Sequence, residues 1–97
     1  MYFVHTLGDM NFQFDPAKAQ SNLHKHGISF ADAESVFYDP LAIHIEDVSA
    51  ENEPRWVAIG MGSANRILVV IYTLRNDDIR LISARQASRR EVKNYEG

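Results

Sequence analysis

The chain has no cysteine, and that absence removes disulfide frameworks, thiolate nucleophiles and cysteine-ligated metal sites together. A reducing compartment, the cytosol, is the setting that fits. Long apolar runs are missing as well. The longest, Ile67 to Ile71, is bracketed by Arg66 and Arg75 and falls far short of the roughly 20 residues that a bilayer-crossing helix needs. No membrane contact is expected. The opening MYFVHTLGDM has neither a basic start nor a long apolar stretch, so it does not read as a signal peptide. A regular pattern begins only after Met10. Residues 1–10 are therefore expected to be an extension without ordered structure of its own, ahead of one domain over 11–97.

Several catalytic signatures are absent too: a glycine-rich phosphate loop, a His-Glu-x-x-His pair and a nucleophile elbow. His24 and His26 lie two apart, which on a helix points them to different sides and does not suit a shared metal ion. No metal and no cofactor is expected.

What is present fits one modest core: 97 residues, 45% of them hydrophobic. The net charge of -3 gives the whole molecule no strong pull on nucleic acid, so any such contact must come from segregated charge. Segregation is visible. Asp39, Glu46, Asp47, Glu51 and Glu53 share a stretch without lysine or arginine, whereas Arg75, Arg80, Arg85, Arg89, Arg90 and Lys93 crowd the C-terminal end.

Phe12-Gln13-Phe14 alternates as a short strand does, and Asp15-Pro16 supplies an N-cap carboxylate followed by proline at the first helical position. The helix this predicts runs from Pro16 to His26 and stops at Gly27. Ser29, with Asp32 three residues on and an apolar face of Phe30, Ala33, Val36 and Phe37, predicts a second helix that ends at Asp39-Pro40. From Leu41 the period shortens. Leu41–Ile45, Arg55–Met61, Arg66–Leu74 and Ile79–Arg85 read as strands of an antiparallel four-stranded meander, and Ser88-Arg89-Arg90-Glu91 is a capping box opening a last helix to about Tyr95. The fold class is α+β, with helices on one face of a curled sheet and the other face free.

Arg55, Arg66, Arg80 and Arg85 sit at strand positions beside apolar neighbours. A guanidinium can hold a phosphate through two parallel hydrogen bonds and stabilise charge on a phosphorane without giving up a proton, so these residues suit RNA backbone cleavage. They equally suit ion pairs with Glu46, Asp47 or Glu53. Cleavage would need a base for the attacking 2'-hydroxyl and an acid for the leaving 5'-oxygen. Lys25, His26, Glu53 and Tyr72 are the available groups. Trp56, Phe30, Phe37 and Tyr95 lie on apolar faces and read as core, while Tyr72 is open to either reading because its hydroxyl could emerge at the end of the sheet.

Phe14-Asp15-Pro16-Ala17-Lys18, Asn22-Leu23-x-Lys25-His26-Gly27-Ile28-Ser29-Phe30, Val36-Phe37-x-Asp39-Pro40, Glu53-x-Arg55-Trp56-x-Ala58-Ile59-Gly60 and Ile79-Arg80-Leu81-Ile82-Ser83-Ala84-Arg85 together resemble the BrnT toxins of bacterial toxin-antitoxin pairs. The resemblance runs in order from Asn11 to Glu96. It implies a RelE-like fold, a ribonuclease that arrests translation, and a co-encoded BrnA-like antitoxin that forms a heterotetramer with it and alone contacts operator DNA. Lys25, His26, Glu53, Arg55, Arg66 and Arg85 are the positions that match the family motif. The expected site has Lys25, His26, Glu53, Arg66 and Arg85 in catalysis and Arg55, Arg80 and Tyr72 in RNA binding. The alternative is a non-enzymatic or inactive toxin-like module that docks a DNA-binding partner.

Overall fold

The first helix begins where the sequence supplies its cap. In the computed structural model, which describes residues 2–97, Asp15 is extended and its carboxylate accepts the Ala17 N–H at 2.9 Å. Pro16 takes the first position of α1 (Pro16–His26), and Gly27 closes it with φ 71. That left-handed value is one glycine adopts without the strain a Cβ brings. Ser29 accepts the Asp32 N–H at 3.0 Å and opens α2 (Phe30–Glu34).

The second helix is not continuous to Asp39. After Glu34 the chain tightens into a 3-10 turn over Ser35–Tyr38. Asp39 anchors the exit: its carboxylate accepts the Leu41 and Met61 N–H groups, both at 2.9 Å. Those bonds pull the chain end toward the sheet, and the shorter turn places Phe37 edge-on to Phe12 and Tyr72, at 5.4 and 4.8 Å between ring centres.

Six strands make one sheet: β1 (Phe3–Leu7), β2 (Met10–Phe14), β3 (Ile43–Asp47), β4 (Arg55–Met61), β5 (Ile67–Arg75) and β6 (Asp78–Gln86), in the order β1-β2-β6-β5-β4-β3. The expected short N-terminal strand and four-stranded meander, five strands in all, are thus corrected to one six-stranded sheet among the described residues. β3 to β6 pair antiparallel in succession, and β2 joins β6 in parallel through Phe12 and Gln13. Asn76 and Asp77, both at positive φ, form the two-residue turn between β5 and β6.

The N-terminal segment expected as an extension contains β1, paired along its length with β2 across a turn at Gly8. Met1 lies outside the described residues. Every residue of β1 is exposed, so no buried face imposes a period on its sequence. Its ties are instead the ladder, Phe3 against Phe14, and a His5 Nδ1 contact to Glu34 at 2.9 Å.

Phe12, Ile28, Phe30, Val36, Leu68, Val70, Tyr72 and Leu81 form the core between the sheet and the α1–α2 layer. Small residues on β4 let that layer approach: a Cβ on Gly60 would stand 2.9 Å from Val36 Cγ1 and Ala42 Cβ. The C-terminal helix α3 (Arg89–Glu96) packs near β4, with Tyr95 donating to Asp39 at 2.6 Å. Among the described residues, no helix is long and apolar enough to cross a membrane.

Beyond Arg80, β6 has no strand on the β2 side, and a side chain fills in. Asn22, buried on α1, accepts the Ala84 N–H at 3.0 Å and donates to Ala84 O at 2.8 Å and to Ile28 O at 3.0 Å. Its amide does what a neighbouring strand would do. Asn22→Ala leaves three buried backbone groups without partners and is expected to lower unfolding free energy by about 2–3 kcal/mol, read from urea denaturation. A loss under about 0.5 kcal/mol, the level of an ordinary surface change, would show that α1 is held by other means.

Candidate functional site

Strand register decides which arginines share a face. Tyr72–Leu81 and Val70–Ala84 are buried pairs on the helix side. The alternate pairs, Thr73–Arg80, Val69–Arg85 and Asp47–Arg55, turn to the other side, with a register shift at Ile71/Tyr72. Arg55, Arg80 and Arg85 therefore share the face opposite the buried core residues.

Two concavities lie along that face. A groove of about 690 Å³ is lined by both signs of charge, Lys18, Arg55, Arg75 and Arg80 together with Asp47, Glu51 and Glu53. A smaller hollow of about 160 Å³ is lined by Lys18, Lys25, His26 and Ser83. Lys18 and Ile82 border both, so the two form one strip. Helix geometry explains the lining: positions 18, 21, 22 and 25 fall on one side of α1, and Asn22 presses that side to β6. Arg80 is held in the strip, donating to Gln13 Oε1 at 3.1 Å and stacking on the Tyr2 ring at 3.9 Å.

Other expected site residues are engaged elsewhere. Arg66 turns to the helix side, where its Nη2 donates to Asp32 Oδ2 at 3.0 Å. Burial disfavours an Asp32 charge, but hydrogen bonds from Ser63, the Ala64 N–H and Arg66 outweigh it and hold the carboxyl below its usual range. Arg66 thus ties the β4–β5 turn to α2, and the sheet separates it from Arg85. The pair does not converge on one phosphate.

Glu53 forms an ion pair with Arg75 at 2.9 Å in the lining of the groove. Tyr72 is buried at 6% exposure, and its hydroxyl meets His44 Nδ1 at 2.9 Å. Burial raises the Tyr72 pKa and lowers that of His44. Tyr72 therefore belongs to the core, correcting its expected place in RNA binding: register puts it under the helices rather than at the end of the sheet. Lys25 and His26 are exposed at the end of α1, beside Ser83. Among the described residues, no group of three or more His, Asp or Glu side chains gathers where it could hold a metal ion.

Residues that the sequence did not single out complete the picture. Lys18 borders both concavities, and its spacing of seven from Lys25 is the signal that marks a shared helix side. Glu91 grips Arg85 at both ends of its fork, Oε1 to Nη1 and Oε2 to Nη2, each at 2.8 Å. The Arg85 hydrogen bond, with those of Ser88, pulls the Glu91 carboxyl down to about 2 despite some desolvation. The capping box hid this second role.

A carboxyl depressed in the folded state stabilises fully above its unfolded value and loses that contribution as pH falls through the folded one. For Glu91 the window runs from its ordinary 4.5 down to about 2. The pair is partly exposed, which limits its worth to about 1 kcal/mol or less. Urea unfolding at successive pH values should therefore show Glu91→Gln less stable than wild type near pH 6, with the gap closing toward pH 2. A constant gap across that window would assign the stability to another group.

Comparison with known proteins gives the family. The family model described as "Ribonuclease toxin, BrnT, of type II toxin-antitoxin system" matches residues 14–91. The chain is also similar to the 1.1 Å crystal structure of the Brucella abortus ribonuclease toxin BrnT, with a TM-score of 0.61, 30% identity, and coverage of 78% of this chain and 94% of that one. Among curated proteins, none matches the chain significantly. Matched over most of its length, and by a structure as well as by sequence, the chain belongs to the BrnT family of ribonuclease toxins of type II toxin-antitoxin systems.

Proposed function

We propose that this chain is an endoribonuclease that works without a metal ion, in the manner of RelE-like toxins, cutting RNA in the cytoplasm and so arresting translation. The observation that carries this reading is the strip itself: Lys18 joins the Arg55–Arg80 groove to the Lys25–His26 hollow on one face. An RNA backbone laid along it meets Lys18, Arg55 and Arg80 as phosphate ligands, with Arg85 farther along β6. Guanidinium groups there neutralise charge building on the phosphorane as the 2'-hydroxyl attacks. His26 and Lys25 are the proton carriers at the hollow, and Glu53 is a second base once its Arg75 partner turns to phosphate. Arg66 serves by holding the β4–β5 turn.

The cognate partner is an antitoxin, proposed as BrnA-like, assembling as a heterotetramer and bringing operator DNA into contact only through itself. Covering the arginine face with carboxylates would block RNA and satisfy the guanidinium charges at once.

One observation favours a second reading. Arg85 and Glu53 are each tied to an opposite charge, as an inactive module that only docks its antitoxin would keep them. Growth separates the two, since an inactive module is harmless when induced alone.

Purified protein in EDTA should cleave RNA, and induction without an antitoxin should stop growth. Intact RNA together with normal growth would overturn the enzyme reading. Lys18→Ala and Arg80→Ala should each weaken RNA binding and reduce the salt dependence by about 0.7 per lost phosphate contact, the value for single strands. Arg66→Ala should instead lower stability while leaving the salt slope unchanged.

A further inference from the structure

Arg85 lies on the same sheet face as the strip, outside both concavities, and its fork is already filled. Nη1 and Nη2 each donate to one oxygen of Glu91 at 2.8 Å, and Nη1 also reaches Gln86 O at 3.3 Å. A carboxylate and two oxygens of a phosphate present nearly the same target to a guanidinium, so the two compete for one set of donors. The pair is within reach of a competitor, with 45% of the Arg85 side chain and 24% of the Glu91 side chain exposed.

Glu91 holds more than Arg85. Its Oε1 accepts the Ser88 N–H at 2.8 Å, and its own N–H donates to Ser88 Oγ at 3.3 Å. This is the cap of α3, an eight-residue helix with no buried residue. A helix that short is marginal by itself and depends on such end contacts. Its far end is fastened separately, by Tyr95 to Asp39 at 2.6 Å. The first turn can therefore loosen while the last turn stays attached.

We propose that the Glu91 carboxylate is a built-in competitor for RNA phosphate: in the free protein it occupies the Arg85 fork, and RNA gains Arg85 only by displacing it and loosening the start of α3. This rests on the reading of Arg85 as an RNA contact. The opposite role, Glu91 steadying Arg85 for RNA, makes the opposite prediction.

Binding of a fluorescent single-stranded RNA oligonucleotide at fixed salt, to wild type, E91Q, R85A and R85A/E91Q, decides between them. Glutamine at this position still serves a capping box, so E91Q removes the charge and keeps the helix start. E91Q should bind roughly two- to fivefold more tightly, the range expected when a partly exposed competing ion pair is removed. R85A should bind more weakly than wild type, and the double variant should match R85A. If E91Q binds equally or more weakly while R85A is impaired, the competitor role is overturned and the RNA role of Arg85 stands. If R85A binds like wild type, the Arg85 contact itself fails and the competitor role goes with it. Hydrogen exchange on the wild-type protein repeats the test without a variant: saturating RNA should speed exchange of the residue 91–95 amides, and unchanged or slower exchange overturns the inference.

Discussion

The Asn22 amide is the contact on which the candidate site depends. Beyond Arg80, β6 has no strand beside it, and Asn22 supplies both a donor and an acceptor to Ala84 while tying in Ile28 at the α1–α2 turn. One buried side chain thereby fixes the angle and the rotation of α1 against the sheet. Rotation is what matters. With Asn22 turned to β6, Lys18 and Lys25 border the strip, and a change of about 100°, one residue on the helix, would carry them away from it. A buried amide with both donors and its oxygen engaged is highly directional, which an apolar contact is not.

The sheet then sorts the arginines by register. Arg66 precedes β5 and turns to the helices, where Asp32 neutralises it and leaves its Nε buried without a partner. Arg55, Arg80 and Arg85 emerge on the other face, at positions where the helix layer does not cover them. A ribonuclease of this size cannot hold the charge of RNA by net charge, since this chain carries -3 overall. On the proposed reading it holds it by placement. Acids lining the groove, Asp47, Glu51 and Glu53, limit how much of the face a polyanion can use.

Placement also sets a balance between being ready and being stable. An exposed guanidinium row without partners repels itself, and ion pairs such as Arg75–Glu53 and Arg85–Glu91 relieve that repulsion. The same carboxylates stand where phosphates would sit. On the proposed reading, a partner rich in carboxylates would take over this role, so that one face would serve both RNA and an antitoxin.

The sequence by itself determined the parts that local chemistry controls. Asp15-Pro16 and Gly27 set both ends of α1, Ser88 and Glu91 set the start of α3, and the apolar run of β5 marked a strand, because caps, prolines and side-chain period act within a few residues. The family resemblance was legible for the same reason, as it rests on those local motifs. Only the tertiary structure decided the rest. β1 has no buried face and so no readable period; the 3-10 turn after Glu34 follows from Asp39 bonding Met61; and Tyr72 sank into the core because register put it beside Phe37. Which arginines meet and which are parted is likewise a matter of strand pairing between residues far apart in the chain. Local spacing names the guanidinium groups, and only long-range register says which side of the sheet each one faces.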